Sequence, residues 1–256
     1  MQVIVLDDPT AVGEYAADAI VRRAEAGRLR VLGVATGSSP LPVYEALERR
    51  ASPAVRDLSA FALDEYVGLP TDHPESYHAV IDREVTRRLG LDPARVHVPN
   101  GLADDIEAAA AGYERAIIDA GGIDVQILGI GSTGHVGFNE PTSSFASRTR
   151  IKTLTPETRR DNARFFPSLE DVPLHCVTQG LGTIMDARSV LLVAFGEGKA
   201  DAVAAAVEGP LSSMCPGSIL QMHPDATVIV DEAAAARLTL REYYDFVLEN
   251  RPDWQR

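Results

Sequence analysis

Residues 30–40 read RVLGVATGSSP, and this stretch indicates the fold of the chain. Its first six residues, Arg30–Ala35, form a largely apolar run, as expected for a strand that is covered on both faces. A glycine-containing turn at 36–39 follows directly, and Pro40 opens a segment of helical period. A buried strand that passes through a turn into a helix is typical of an α/β protein with a parallel sheet.

The same alternation recurs from one end of the chain to the other. Further strands are predicted at 3–6, 61–63, 125–130, 189–195 and 226–230. Helices are predicted at 9–26, where Asp8 can act as the cap, and at 40–50, 76–89, 103–120 and 199–207. We therefore expect one α/β domain over residues 1–256, with a doubly wound, mainly parallel sheet flanked by helices.

One stretch, residues 139–174, breaks this alternation. It is polar, rich in Ser, Thr and Arg, and contains the run SSFASRTRIKTLT. Because a long irregular segment inside a compact α/β domain is usually functional, we expect a lid at roughly residues 141–175.

The composition limits the class of partner. The chain has 24 Lys and Arg against 37 Asp and Glu, a net charge of −13, which argues against nucleic acid or an anionic membrane surface as the main partner. The two cysteines, Cys176 and Cys215, are too few for a disulfide framework. No apolar run approaches the length of a membrane span. We expect a cytoplasmic protein with reduced thiols.

Three motifs follow predicted strands, which is where open α/β sheets bind ligands. The first motif comprises Thr36, Gly37, Ser38 and Ser39. Backbone N–H groups and hydroxyls at the start of a helix can bind a phosphate, although a tight strand-to-helix turn with a cap is the plain alternative.

The second motif is Asp64-Glu65 after the strand that ends at 63. Two adjacent acids can supply a general base, because the charge of one raises the pKa of the other. A solvated turn or a helix cap is the alternative.

The third motif is LGIGSTGHVGFNEP at 128–141, which contains four glycines, His135 and Glu140. Glycines let a backbone approach a ligand, and a histidine oriented by a carboxylate can move protons near neutral pH. A structural histidine is the alternative, and the absence of an HExxH pattern argues against a metal site.

Cations complete the set of candidate residues. Lys199 follows a predicted strand through a glycine turn, and Arg164 lies in the run NARFF. In an acidic chain such cations suggest anion binding, although a surface ion pair is the alternative for each. A phosphate site, a carboxylate base and a His–Glu pair together suit aldose–ketose chemistry on a sugar phosphate.

These residues resemble the glucosamine-6-phosphate deaminase family, also called glucosamine-6-phosphate isomerases. The matching stretches are ATGSSP, LDEYVGLPTDHPESY, LGIGSTGHVGFNEPTSSFASRTRIKTLT, NARFF, GEGKA and LQMHP, in family order from 35 to about 224. The resemblance implies a modified Rossmann-type fold and conversion of glucosamine 6-phosphate and water to fructose 6-phosphate and ammonia. It implies no metal or organic cofactor, and it leaves open whether the chain is a homo-oligomer.

The resemblance also implies roles for individual residues. Asp64 matches the general base, His135 the residue that opens the sugar ring, and Glu140 its carboxylate partner. The phosphate-binding positions are Thr36, Gly37, Ser38, Ser39, Arg164 and Lys199. Positions that bind an allosteric activator in hexameric members correspond to Ser143, Arg150 and Lys152.

Thr133 departs from the family pattern, which usually has Asp, or in some members Asn, at this position. In the Asp members this residue belongs to the catalytic set around the histidine. A threonine hydroxyl can hydrogen-bond but carries no charge. This departure keeps two alternatives open, the same chemistry on another amino-sugar phosphate and a non-catalytic sugar-phosphate sensor. The first is tested by a panel of substrates and the second by tight binding without turnover.

Overall fold

The computed structural model describes residues 1–251. The strands are β1 (Gln2–Leu6), β2 (Val31–Val34), β3 (Ser59–Ala62), β4 (Asp64–Tyr66), β5 (Val96–His97), β6 (Val125–Leu128), β7 (Arg150–Thr153), β8 (His175–Thr178), β9 (Ser189–Ala194) and β10 (Ala226–Asp231). The helices are α1 (Pro9–Glu25), α2 (Leu41–Arg50), α3 (Pro53–Arg56), α4 (Tyr77–Ile81), α5 (Ile106–Asp119), α6 (Pro156–Asn162), α7 (Leu181–Met185), α8 (Ala200–Val207) and α9 (Arg241–Glu249). Within the described residues, no helix is both long and apolar enough to cross a membrane.

The main sheet has seven strands in the spatial order β1-β10-β9-β6-β2-β3-β5, and every pair is parallel. Each crossover between parallel strands needs a connection across one face of the sheet, and helices supply most of these connections. This arrangement confirms the predicted doubly wound, mainly parallel α/β fold.

The sheet is buried on both faces, as the apolar run of each central strand predicts. In β9 all six residues are buried, and alternate side chains point to opposite layers. Val190 and Leu192 pack in the layer that contains α5 and α8, whereas Leu191 and Val193 pack in the layer with α1 and α2. Because both faces of β9 are buried, its inward- and outward-pointing side chains must all be apolar or small. This explains why the strand is hydrophobic along its whole length and does not alternate with polar residues.

Local capping sets the helix boundaries. The Asp8 carboxylate accepts a hydrogen bond from the Ala11 N–H at 2.8 Å, and Pro9 occupies the first helical position, as predicted. α5 begins three residues later than the predicted residue 103, because Asp105 caps it by accepting from the Ala108 N–H. Ser76 caps α4, which continues as a π-helical segment over Asp82–Arg87.

A second, smaller sheet was not predicted. It is antiparallel, with the order β4-β8-β7. Because β7 and α6 both lie between residues 139 and 174, the expectation of an irregular segment there is wrong. The strand of this segment is hard to recognise from the sequence because β7 exposes alternate residues and pairs only with β8. Whether the segment acts as a lid stays a prediction.

Candidate active site

A cavity of about 390 Å³ lies at the carboxyl edge of the main sheet, beside the ends of β9, β6, β2 and β3. After β2, the chain adds β3 and β5 on one side of that strand and β6, β9 and β10 on the other. The strand order therefore reverses between β2 and β6. Loops diverge at such a point and leave a crevice, which is where open α/β sheets bind ligands.

The cavity is lined by all six predicted anion-binding residues. These are Thr36, Gly37, Ser38, Ser39, Arg164 and Lys199. Burial lowers the pKa of Lys199, and the nearby Arg164 charge acts in the same direction, whereas Asp161 opposes both. Two cations held close together in a crevice repel each other, so an anion bound between them relieves that repulsion.

The backbone at Gly37 explains why glycine stands in this loop. Its φ angle is +85°, in the left-handed region that favours glycine. A Cβ atom at this position would meet no heavy atom within 4 Å, so the requirement is conformational rather than steric. The turn lets the chain leave β2 and present the residues after Gly37 to the cavity.

Asp64 lies between the two sheets, at the first position of β4, and only 5% of its surface is exposed. Burial and the neighbouring charge of Glu65 raise the pKa of Asp64 to about 8, although a hydrogen bond from the Phe138 N–H opposes them. Gly137 brings its loop close, since a Cβ there would lie 3.4 Å from Asp64 Oδ2. The carboxylate is therefore a stronger base than that of an exposed aspartate, and Asp64 lines the cavity.

His135 also lines the cavity, and its ring is held on both sides. Its Nδ1 atom lies 2.9 Å from Thr133 Oγ1 and 3.4 Å from Glu140 Oε2. Gly131 lies against the ring, because a Cβ on that residue would come within 2.1 to 2.5 Å of three ring atoms. Both polar contacts use Nδ1, which leaves Nε2 as the ring nitrogen for a ligand.

Glu140 is placed behind His135 and does not itself line the cavity. Its Oε1 atom accepts from the Thr155 hydroxyl at 3.1 Å and from the Thr158 hydroxyl over a shorter distance. Burial acts to raise the pKa of Glu140, but the contacts with His135 and Thr158 outweigh it and lower the pKa to about 2. Glu140 is therefore a fixed negative charge that stabilises a protonated imidazole, and it ties the His135 loop to the start of α6.

Several residues of the site were not predicted. Tyr77, at the first position of α4, lines the cavity and is hydrogen-bonded to the Thr36 side chain. Asn162 lines it as well and donates to the Tyr66 hydroxyl at 2.9 Å. The remaining unpredicted polar lining residues are Ser132, Thr158 and Asp161. Ser76 is a recognisable cap and predicts the helix that begins at Tyr77. The sequence does not indicate that this helix packs beside the cavity.

The three candidate activator-binding residues lie outside this cavity. Arg150 and Lys152 are two residues apart on β7 and so share one face, and the Arg150 guanidinium donates to Asn139 Oδ1 at 2.9 Å. Ser143 is buried, and its hydroxyl has no hydrogen-bond partner among the described residues. These contacts do not test binding of an activator. Among residues 1–251, no three His, Cys, Asp or Glu side chains form a group that could hold a metal ion.

The fold and the site define an α/β protein that can hold a small anion beside a buried carboxyl and an oriented imidazole. The sequence matches the family of glucosamine-6-phosphate isomerases and 6-phosphogluconolactonases over residues 7–229. The chain belongs to this family.

Sequence identity is higher to glucosamine-6-phosphate deaminases than to a 6-phosphogluconolactonase of the same family. The chain is 58% identical to the glucosamine-6-phosphate deaminase of Cutibacterium acnes, over 99% of this chain and 98% of the relative, and 54% identical to that of Streptomyces coelicolor, over 100% and 99%. A solved monomeric glucosamine-6-phosphate deaminase is 38% identical, with a TM-score of 0.89, over 93% of this chain and 100% of the other. The 6-phosphogluconolactonase of Trypanosoma cruzi is 21% identical, with a TM-score of 0.73, over 93% and 97%, and shares the fold.

Proposed function

We propose that this chain converts glucosamine 6-phosphate and water to fructose 6-phosphate and ammonia. The observation that carries the proposal is that Asp64, His135, Arg164 and Lys199 all line one cavity. The reaction needs an anion site for the phosphate, a base for a carbon-bound proton and an acid–base group for the ring. Each of these needs is matched by a residue type with suitable chemistry in the cavity.

Phosphate binding and ring opening use different residues of the cavity. The phosphate lies against the 36–39 loop, Arg164 and Lys199, where N–H groups, hydroxyls and cations stabilise its charge. His135 moves a proton between the hydroxyl on C1 and the ring oxygen, so that the sugar opens to its aldehyde form. Glu140 stabilises the imidazolium that forms, and Thr133 holds Nδ1, so both act through His135.

Asp64 performs the isomerisation. Its carboxylate removes the proton from C2 of the open aldose, and a proton of the substrate's ammonium group passes to the C1 oxygen, which gives a neutral enolamine. Asp64 then returns its proton to C1. The product is a ketose with an iminium group at C2. Water adds to C2, the carbon–nitrogen bond breaks, and ammonia and fructose 6-phosphate leave. A base whose pKa is near the working pH suits this step, because it is strong enough to take a carbon-bound proton and is still ionised in part.

The proposal favours glucosamine 6-phosphate over the two alternatives raised by Thr133 and over lactone hydrolysis. Thr133 contacts His135 and is absent from the cavity wall, so its difference from the family pattern affects the rate more directly than the choice of sugar. A non-catalytic sensor has no need for a buried carboxyl with a raised pKa beside the bound sugar. Lactone hydrolysis is disfavoured because the relatives above 50% identity are named deaminases.

The remaining proposals concern the location of the protein, its binding partners and its assembly. We place the protein in the cytoplasm, with Cys176 and Cys215 as free thiols, and its partner is a small amino-sugar phosphate rather than nucleic acid or a membrane. Binding of an activator at Ser143, Arg150 and Lys152 stays a prediction, as does assembly into a homo-oligomer. A left-shifted saturation curve with N-acetylglucosamine 6-phosphate would support the first, and sedimentation would decide the second.

The decisive experiment measures ammonia and fructose 6-phosphate from glucosamine 6-phosphate for the natural protein, Asp64→Asn and Thr133→Asp. The control is Asp104→Asn, which changes an exposed acid outside the cavity. We expect turnover by the natural protein and the control, and loss of at least 100-fold in Asp64→Asn. Unchanged ammonia release by Asp64→Asn refutes the assigned base, and binding without turnover by the natural protein refutes the enzyme. Recovery of turnover only in Thr133→Asp would indicate that the natural substrate or role has changed.

A further inference from the structure

Glu65 is a buried carboxylate next to Asp64 that lies outside the wall of the cavity. Only 3% of its surface is exposed. Its Oε1 atom accepts from the N–H groups of Tyr66 at 2.7 Å and Tyr77 at 2.9 Å, and its Oε2 atom accepts from the His78 N–H at 2.8 Å. A buried acid needs such donors, and three of them favour its ionised form.

The two acids differ in how well their negative charges are stabilised. Burial raises the pKa of both. Three N–H groups and the His78 side chain lower the pKa of Glu65, whereas the Phe138 N–H alone is the backbone donor that lowers that of Asp64. In such a pair, the better-stabilised acid ionises first and its charge then opposes ionisation of the other.

The other titratable groups around Asp64 do not supply a competing charge. They come from β4, α4, α5 and β8 and are Tyr66, Tyr77, Tyr113 and Cys176. Burial raises the pKa of each of them, so all four are neutral at neutral pH. Glu140 contacts His135 and does not line the cavity, and Arg150 and Lys152 lie on β7, where they influence Cys176 of the neighbouring strand β8. Glu65 is therefore the charge that acts most directly on Asp64.

Glu65 also fixes a wall of the cavity. It holds the first two N–H groups of α4, and Tyr77 at that position lines the cavity and contacts the Thr36 side chain. The Gly101 backbone packs against the Glu65 side chain, since a Cβ on Gly101 would lie 3.3 Å from Glu65 Cγ. One side chain thus connects the proposed base to the loop that binds phosphate.

We propose that Glu65 is a positioning residue for the proton transfer: its negative charge makes Asp64 a stronger base, and its hydrogen bonds hold Tyr77 against the phosphate loop. The inference rests on the proposed function, since it requires Asp64 to be the base. Without the charge, Asp64 ionises at lower pH and removes a carbon-bound proton less readily.

The test compares Glu65→Gln, which removes the charge, with Glu65→Asp, which keeps the charge and shortens the side chain. The measurement is kcat/KM against pH for glucosamine 6-phosphate. We expect the acidic limb of the profile to move down by about 1 pH unit in Glu65→Gln, with a lower kcat at the plateau. In Glu65→Asp the limb should stay within about 0.3 units, while activity falls at every pH because Tyr77 is less firmly held.

A merely structural role would lower activity in both variants and move the limb in neither, and that result would overturn the inference. Glu107→Gln, an exposed acid on α5, is the matched control and should leave the profile unchanged. If Asp64→Asn retains ammonia release, the proposed base fails as well. If Asp64→Asn abolishes release and Glu65→Gln leaves the limb in place, the inference about Glu65 alone fails.

A second measurement uses the natural protein and does not depend on the folding of a variant. Carbon-13 NMR of carboxyl groups in labelled Asp and Glu follows each ionisation as the pH rises. We expect Glu65 to ionise at lower pH than Asp64. The reverse order would overturn the inference, since Asp64 would then lose its proton before a neighbouring charge could oppose the loss.

Discussion

Replacement of Asp64 by Asn should make the fold progressively more stable than that of the natural protein as the pH rises, even though it removes the proposed activity. A buried carboxyl with a raised pKa keeps its proton in the folded state and loses it in the unfolded state. The pKa of Asp64 is raised from 3.8 to about 8, so the two states differ by nearly one proton between about pH 5 and pH 7. Asparagine has no such proton to lose.

The sign and the size follow from proton linkage. The folded state binds more protons than the unfolded state, so the contribution of Asp64 to stability is fully present below pH 3.8 and is lost as the pH rises to about 8. The loss is about 1.4 kcal/mol per pH unit where the difference is one full proton. The advantage of Asp64→Asn over the natural protein should therefore grow by about 2 to 3 kcal/mol between pH 5 and pH 7.

The assay is urea unfolding followed by circular dichroism at pH 5, 6 and 7. The change in the stability difference is the informative quantity, because any cost of burying an amide is the same at each pH. Asp104→Asn is the control and should run parallel to the natural protein across this range. If Asp64→Asn also runs parallel, Asp64 is already ionised in the fold, and our account of the base is refuted.

Three further changes test the geometry of the site, and a fourth tests backbone strain at Thr142. Gly131→Ala should lower kcat by at least about 10-fold with little change in KM, because the new Cβ would lie 2.1 Å from a ring atom of His135 and displace the imidazole. Thr133→Val should also lower kcat by about 10-fold, since it removes the 2.9 Å contact to Nδ1, whereas Thr133→Ser should retain it. Lys199→Ala should raise KM by about 10- to 100-fold, as expected for a lost hydrogen bond to a charged group. Thr142→Gly should stabilise the fold by about 1 kcal/mol in urea unfolding, because threonine has a φ angle of +73° there.

For each of these changes, one experimental outcome would contradict the predicted effect. Gly112→Ala, where a Cβ would meet only an arginine end at 3.8 Å, is the control for Gly131→Ala, and equal kinetics in the two variants would show that the ring position does not matter. Equal activity of the valine and serine variants at 133 would exclude a role for the hydroxyl. An unchanged KM in Lys199→Ala would remove that residue from the phosphate site. Lower stability in Thr142→Gly would mean that the turn carries no backbone strain.

Much of the fold could be predicted because its signals are local. The strand at 31–34 is a run of apolar residues, and Asp8 and Pro9 begin α1 by capping within one turn of the helix. The small antiparallel sheet gives no such signal. Its first strand, Asp64–Tyr66, has only three residues, and its partner Cys176–Thr178 is more than 100 residues away in the sequence. Pairing across that distance depends on where both segments dock.

The sequence alone determined the sheet type, the loop at 36–39 and the candidates Asp64 and His135, because residue type and nearness to a strand end are read directly from the chain. Only the tertiary structure decided the pKa of Asp64 and the orientation of the His135 ring. The pKa of Asp64 depends on burial between two sheets, and the ring of His135 is held by Gly131, Thr133 and Glu140 together. Desolvation and electrostatic interactions depend on three-dimensional distance, and that distance is fixed only when the strands pack.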